Sequence, residues 1–355
     1  MNCCIRCFKD PEIKDIVKGC NLKGNCDFCG NTDVYVCDIN NEDLKDNFER
    51  LLDVYCPVSD IKGNFPREQA DLMKNILTLR WDIFNLKANE VYLFLTALLS
   101  EKYEEEPKLF DEPVWIKGSV QEEYLNQYSI LGKFQWKDFV DEIKTKNRFH
   151  TTIINKEIFR KVLEVSCKEY EVGTEFFRAR IWTEGVGFST DEMGPPPPKK
   201  ATAGRANPEG ISCLYLADSL DTTLHETRAG VYDFITVGTF ILKEKITIVD
   251  LTSIDKISPF LIADIDLLAA NLEHLRKIGD EISRPLRKHD SSLDYLPTQY
   301  ICDYIKSIGY AGIKYKSTMC SNGMNFAIFD KDLLDCVDVS DYDIDSLKYH
   351  YSEIE

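Results

Sequence analysis

The stretch that decides the reading of this chain is Ala203-Gly204-Arg205-Ala206-Asn207-Pro208-Glu209-Gly210-Ile211-Ser212-Cys213-Leu214-Tyr215-Leu216-Ala217. Asn207-Pro208-Glu209-Gly210 has turn chemistry: asparagine bonds its own backbone, proline presets φ, and glycine tolerates conformations other residues avoid. Gly204 has no Cβ, so another group can approach the backbone beside Arg205. Ile211–Ala217 is apolar enough for a buried strand. Asp218 or Ser219 can cap the helix that follows, Leu220–Arg228, which carries His225, Glu226 and Arg228. A glycine-flanked arginine, a strand tyrosine and a helix glutamate thus converge at one strand end.

Working outward, Phe176–Trp182 alternates like a strand and puts Arg178 and Arg180 on one face, away from Phe177 and Ala179. The segment from Met193 to Lys200 contains four consecutive prolines, a stiff spacer without backbone donors. It reads as a rigid loop edging a site. Downstream, Phe234–Leu242 and Lys245–Leu251 read as strands, and Leu261–Ile278 and Pro297–Ile308 as helices. Gly309–Phe329 reads as a strand, a polar loop holding Ser317 and Ser321, and a second strand.

In these residues the chain resembles the RES domain family over roughly residues 170–335. The resemblance rests on Gly-Arg-x-Asn-Pro-x-Gly, on the Tyr-Leu-Ala strand end, on Glu226, and on spacings of ten and twenty-one residues from Arg205 to Tyr215 and Glu226. Leu296-Pro297-Thr298-Gln299-Tyr300 adds to it. The family is similar to ADP-ribosyltransferases of the diphtheria-toxin type, acts on NAD, and includes many toxins paired with antitoxins. The resemblance implies an ADP-ribosyltransferase-like split β-sheet, with NAD as substrate. It implies catalytic roles for Arg205, Tyr215, Glu226 and Ser317, with Ser321 the rival for the serine. Asn207, Arg178 and Arg180 join Arg205 and Tyr215 as expected NAD ligands.

Cleavage of the nicotinamide–ribose bond builds positive charge on the ribose. Glu226 would face that charge and hold ribose hydroxyls. Arg205 would fork onto phosphate or ribose oxygens. Tyr215 would meet the nicotinamide, and Ser317 the carboxamide or ribose. Water, phosphate or a macromolecule could accept the ADP-ribose. The expected activity is NAD degradation by a toxin or phage-defence effector; the alternatives are an ADP-ribosyltransferase and a non-enzymatic nucleotide-binding adaptor. Each residue also has a plainer reading: Arg178 and Arg180 as an interdomain ion pair, Tyr215 as a core aromatic, His225 as an incidental helix residue.

Thirteen cysteines are present, seven of them before residue 38. Cys4-Ile-Arg-Cys7 and Cys26-Asp-Phe-Cys29-Gly30 form two C-x2-C knuckles eighteen residues apart. Two residues between thiolates aim both at one ion, and four thiolates close a tetrahedral zinc site with no open position. Such a zinc would be structural, because a ribbon of ~40 residues buries too little apolar surface to fold alone. Cys3 would have to stretch the first knuckle, and Cys20 and Cys37 read as packing residues.

Residues 41–170 read as helical. Gln69–Leu86 carries Leu72, Ile76, Leu79 and Ile83 on one face, and Asn89–Leu99, Trp136–Ile143 and Ile154–Val165 continue the pattern. Pro107–Val120 reads as a loop. This part resembles the HEPN-related helical domain fused to some RES proteins but lacks the arginine–histidine motif of HEPN RNases. Arg284 and His289 have that spacing elsewhere, by chance.

The expected architecture is therefore α+β multidomain: a zinc ribbon over 1–40, a helical domain over 41–170, a RES domain over 171–337 and an acidic tail over 338–355. The net charge of −17 disfavours whole-protein attraction to nucleic acid. No apolar run is long enough to cross a membrane. The N-terminus lacks a signal-peptide core, so a cytoplasmic protein is expected. An antitoxin or defence-system protein is the expected partner, in addition to NAD.

Overall fold

Alternating apolar strands of the C-terminal half assemble into one sheet of eight. The computed structural model describes residues 1–63, 65–183, 185–284 and 291–347. His289 and the acidic stretch past residue 347 lie outside the described residues.

The chain groups into two units. The first comprises Met1–Gln135, Thr152–Val162 and Asp255–Leu275; the second comprises Trp136–Thr151, Leu163–Ile254 and Arg276–Glu355. This differs from a division into consecutive segments, because residues distant in sequence pack together.

In the first unit, β1 (Asn2–Cys4), β2 (Leu22–Gly24) and β3 (Val34–Asp38) form an antiparallel sheet in the order β1-β3-β2. A second small sheet has the order β4-β6-β5, from β4 (Tyr55–Pro57), β5 (Asp71–Leu72) and β6 (Pro113–Ile116). Phe8, Phe48, Phe84 and Phe94 pack ring against ring with centroids 5.4–6.4 Å apart, and all four are buried. Each such ring buries a large apolar area, and tilted and edge-to-face pairs add to what burial alone contributes.

Two readings of this region are corrected. Gln69–Leu86 is not one helix: a 3-10 turn (Arg67–Gln69) leads into β5, a short α-turn (Met73–Asn75) and a π-turn (Ile76–Arg80). Pairing of Asp71–Leu72 with β6 extends the backbone there, and Leu79 is left exposed. Pro107–Val120 is not all loop, since it holds the helical turn Lys108–Asp111 and β6. By contrast, Ala88–Leu98 is a helix burying Val91, Phe94, Leu95 and Leu98.

The second unit is built on β7 (Cys167–Tyr170), β8 (Glu175–Trp182), β9 (Leu214–Ala217), β10 (Phe234–Leu242), β11 (Ile246–Asp250), β12 (Gly312–Lys316), β13 (Met324–Ile328) and β14 (Leu334–Asp343). Their order is β14-β10-β8-β9-β13-β12-β11-β7, antiparallel throughout except for the parallel β11–β12 pair. The β8–β9 pair consists of a single position, Phe177 opposite Ala217. The sheet is therefore a three-stranded and a five-stranded half joined at one point. Asp338–Asp343, read from sequence as the start of the tail, is the end of β14 and pairs with β10.

The sheet has two apolar faces. Phe176, Leu214, Leu216, Phe240, Phe326 and Ile328 pack with Met193 on one. Ile235 and Val237 pack with Phe177, Ala179, Leu220 and Leu224 on the other, so the helix Leu220–Thr227 covers that second face. The expected helix over 261–278 is two helices, Ile265–Ala269 and Leu272–Ser283, and Leu296–Ser307 is a third.

Candidate active site and cysteine cluster

Residues paired across a sheet point to the same face. Phe177 lies opposite Ala217, Ala217 opposite Asn325, and Asn325 opposite Tyr315. This row crosses the junction of the two half-sheets on the face covered by the helix Leu220–Thr227. Ser219 caps that helix by accepting from Thr222 N, and Arg228 ends it in the left-handed conformation. Glu226 sits in its last turn.

The Glu226 carboxylate is held through one oxygen. Ser317 Oγ donates to Oε1 at 2.6 Å and Asn325 Nδ2 donates to the same oxygen at 2.8 Å. Ser317 is itself fixed, its Oγ accepting from the backbone N–H of Met319 and Cys320, each at 3.1 Å. The turn closes with Ser317 N donating to Gly323 O at 2.8 Å. Of the two candidate serines, Ser317 therefore bonds the glutamate, and Ser321 stands exposed on the turn.

Arg205 lies over the Tyr315 ring, 5.6 Å from its centroid. One of its terminal nitrogens, Nη1, is buried without a hydrogen-bond partner among the described residues. Its loop is clamped from the helix Leu296–Ser307: Gln299 Nε2 donates to Gly204 O (2.8 Å) and Asn207 O (3.0 Å), and Thr298 Oγ1 donates to Arg205 O (2.9 Å). Tyr215 completes the clamp, accepting from Ala206 N (3.0 Å) and donating to Asn207 Oδ1 (2.7 Å). A Cβ on Gly204 would lie 2.5 Å from the Tyr215 hydroxyl, which explains the glycine. Burial pushes the Tyr215 phenol well above its ordinary pKa.

The expected residues thus separate into groups. Glu226 and Ser317 share a hydrogen bond. Tyr215 and Asn207 spend their polar groups on the loop that carries Arg205. Arg178 and Arg180 project from the opposite face of the sheet: Arg178 is paired with Gly238, whose Cβ would meet Met193. Arg180 bonds the Glu192 carbonyl and lies 4.1 Å over the Phe188 ring. Arg178 Nη1 is buried without a hydrogen-bond partner among the described residues, and burial, with the Arg180 charge, lowers its pKa to about 10.

Asn325 and Tyr315 were not singled out from sequence. A signal existed for both: Asn325 is the one polar residue of an otherwise apolar strand, Met324–Ile328, and Tyr315 stands two residues before Ser317 on an alternating strand.

In the first unit the two C-x2-C knuckles come together. Sγ–Sγ separations are 3.7 Å for Cys4–Cys7, 3.4 Å for Cys4–Cys29 and 3.4 Å for Cys7–Cys26. Four sulfurs ~2.3 Å from a central zinc stand about 3.8 Å apart, so the set fits a tetrahedral ion. Gly30 turns the second knuckle with φ +69°, and Asn31 Nδ2 donates to Cys29 Sγ at 2.9 Å. The hydrogen bond with the Cys7 thiol lowers the pKa of Cys26, whereas burial raises that of Cys4. Cys3 points elsewhere, its thiol donating to Cys37 O.

Comparison with known proteins gives three findings. No curated protein matches the chain. A crystal structure of the M. tuberculosis MbcT–MbcA toxin–antitoxin complex contains a chain with 14% identity and a TM-score of 0.33, the match covering 53% of this chain and 93% of that one. The RES domain family model matches residues 176–352, a span that holds Arg205, Tyr215, Glu226 and Ser317. The C-terminal half of this chain is a RES domain.

Proposed function

We propose that the RES domain cleaves the nicotinamide–ribose bond of NAD, passing ADP-ribose to water or phosphate. The observation that carries this reading is the Glu226 carboxylate, fixed through Oε1 by Ser317 and Asn325. Two donors on one oxygen leave Oε2 for the ribose hydroxyls and set the negative charge beside the developing ribosyl cation. A carboxylate already oriented needs no reorganisation as that charge forms, which is the basis of electrostatic catalysis. Arg205, with its buried unpartnered Nη1 and its guanidinium over Tyr315, is suited to a phosphate or ribose oxygen. Tyr215 acts in this reading as a positioning residue, since its hydroxyl is spent on the Arg205 loop. Arg178 and Arg180 would contribute only if the dinucleotide passed the junction between the half-sheets. In the cell such an enzyme would act as a toxin or defence effector, held by an antitoxin-type partner.

The four N-terminal thiols would hold one structural zinc, which ties the ends of β1 and the second knuckle and takes no part in bond cleavage.

The test is NAD consumption by the wild-type chain beside Arg205→Ala and Glu226→Gln, with products resolved in the presence and absence of phosphate. Loss of NAD in the wild type alone supports the reading. ADP-ribose or its phosphate as product identifies the acceptor. A labelled macromolecule would make the enzyme an ADP-ribosyltransferase, and NAD bound without turnover would make the domain a nucleotide-binding adaptor.

A further inference from the structure

Beside the Glu226 centre, three side chains of different ligand chemistry meet at the surface. Asp221 and His225 are four residues apart on the helix Leu220–Thr227 and therefore share a face. Cys320 reaches them from the turn that follows β12. Cys320 Sγ is 3.3 Å from Asp221 Oδ2, and His225 Nε2 is 3.7 Å from Asp221 Oδ1. One ligand atom from each of the three lies within 4.8 Å of the others. An ion ~2.0–2.3 Å from oxygen, nitrogen and sulfur ligands would space them at about 3.3–3.8 Å, so only a small closure is needed.

We propose that Asp221, His225 and Cys320 form a second metal site, for a zinc-class divalent ion. The ligand set argues for that class: one thiolate and one imidazole favour borderline-soft ions, and a single carboxylate is too few for calcium or magnesium. Binding takes the proton from Cys320 to solvent and uses the neutral imidazole. The site is open. The Asp221 and His225 side chains are 77% and 51% exposed, so an ion enters directly and keeps a coordination position free for water. It is also linked to the serine turn, because the Cys320 backbone N–H donates to Ser317 Oγ. An ion on Cys320 would tie that turn to the helix that carries Glu226.

The test uses the full-length chain, loaded with a single equivalent of zinc per chain so that the tighter four-thiol set is filled first, then titrated with Co2+. The expected result is one further equivalent per chain, with thiolate-to-cobalt charge-transfer absorption. His225→Gln and Asp221→Asn should each weaken this equivalent at least about tenfold, and Cys320→Ser should also abolish the absorption. Cys320→Asp, which restores an anionic ligand, should regain the ion without the absorption. Circular dichroism of each variant separates loss of the site from loss of the fold. No equivalent beyond the preloaded zinc in the wild type, or unchanged cobalt binding in folded His225→Gln and Cys320→Ser, would overturn the proposal. The readout is independent of NAD turnover.

Discussion

The thiol cluster of the first unit and the carboxylate centre of the second are built on opposite plans. Each knuckle of the cluster is a local turn of four residues, and the four sulfurs, three of them on buried cysteines, lie close enough together to surround one ion. The carboxylate centre brings together residues 91 and 99 positions apart in sequence, and neutral donors already satisfy its Oε1. One region, on the proposed reading, would be completed by an added ion; the other has its carboxylate oriented by neutral donors of the chain itself. A structural site can let the ion do the folding, whereas a catalytic carboxylate must be held by the fold itself.

The largest expected effect tests the first plan. Chelation, or Cys26→Ser, should remove one zinc per chain and open residues 1–40 to protease, because the binding energy of such an ion is folding energy. Metal analysis and limited proteolysis read this directly. A protease-resistant N-terminus without metal would erase the contrast.

Next comes Glu226→Gln, which keeps shape and removes charge. NAD turnover should fall by about 10²–10³-fold with melting temperature unchanged. If the N-terminal segment and turnover failed together in every variant, the two regions would be one system rather than two.

Asn325→Ala and Ser317→Ala each delete one donor to Oε1. Each should lower kcat about tenfold or more with a smaller change in KM, as expected for a group that positions the carboxylate in the transition state. Asn325→Gln should not rescue if position matters, since its amide sits one methylene further out.

The smallest effect sharpens the contrast at a buried charge outside both sites. Asp250, with a side chain 3% exposed, bonds Thr252 and pairs with Lys168 at 2.9 Å and Lys314 at 3.2 Å. Burial alone would raise its pKa, but Thr252 and the two lysines hold it below the ordinary carboxylate value of 3.8. A depressed native pKa stabilises above the unfolded value and loses that contribution as pH falls through the native one. Asp250→Asn should therefore cost about 1–3 kcal/mol in denaturant melts near neutral pH. The difference from wild type should shrink on acidification below about pH 4. A pH-independent difference would mean packing, not charge, is at stake.

The C-x2-C spacing by itself picked out the four cysteines that come together, because a knuckle is local and its thiols are neighbours in the chain. The Gly-Arg-x-Asn-Pro-x-Gly stretch, with its strand and helix, likewise marked the RES domain, since turn residues and alternation act over a few positions. Strands β10 and β11 were legible for the same reason. Other matters were decided only by tertiary pairing. Which serine meets Glu226 depends on how the turn after β12 closes, a choice between Ser317 and Ser321 that spacing leaves open. Asn325 reaches the carboxylate because β13 lies beside β9, and Arg178 and Arg180 face the other way because β8 joins β9 at one pair. Gln69–Leu86 had helical periodicity yet gave up its first turn to pair with β6. Local chemistry is written in neighbouring residues; sheet order, register and the face of a side chain come from contacts between residues far apart in the chain.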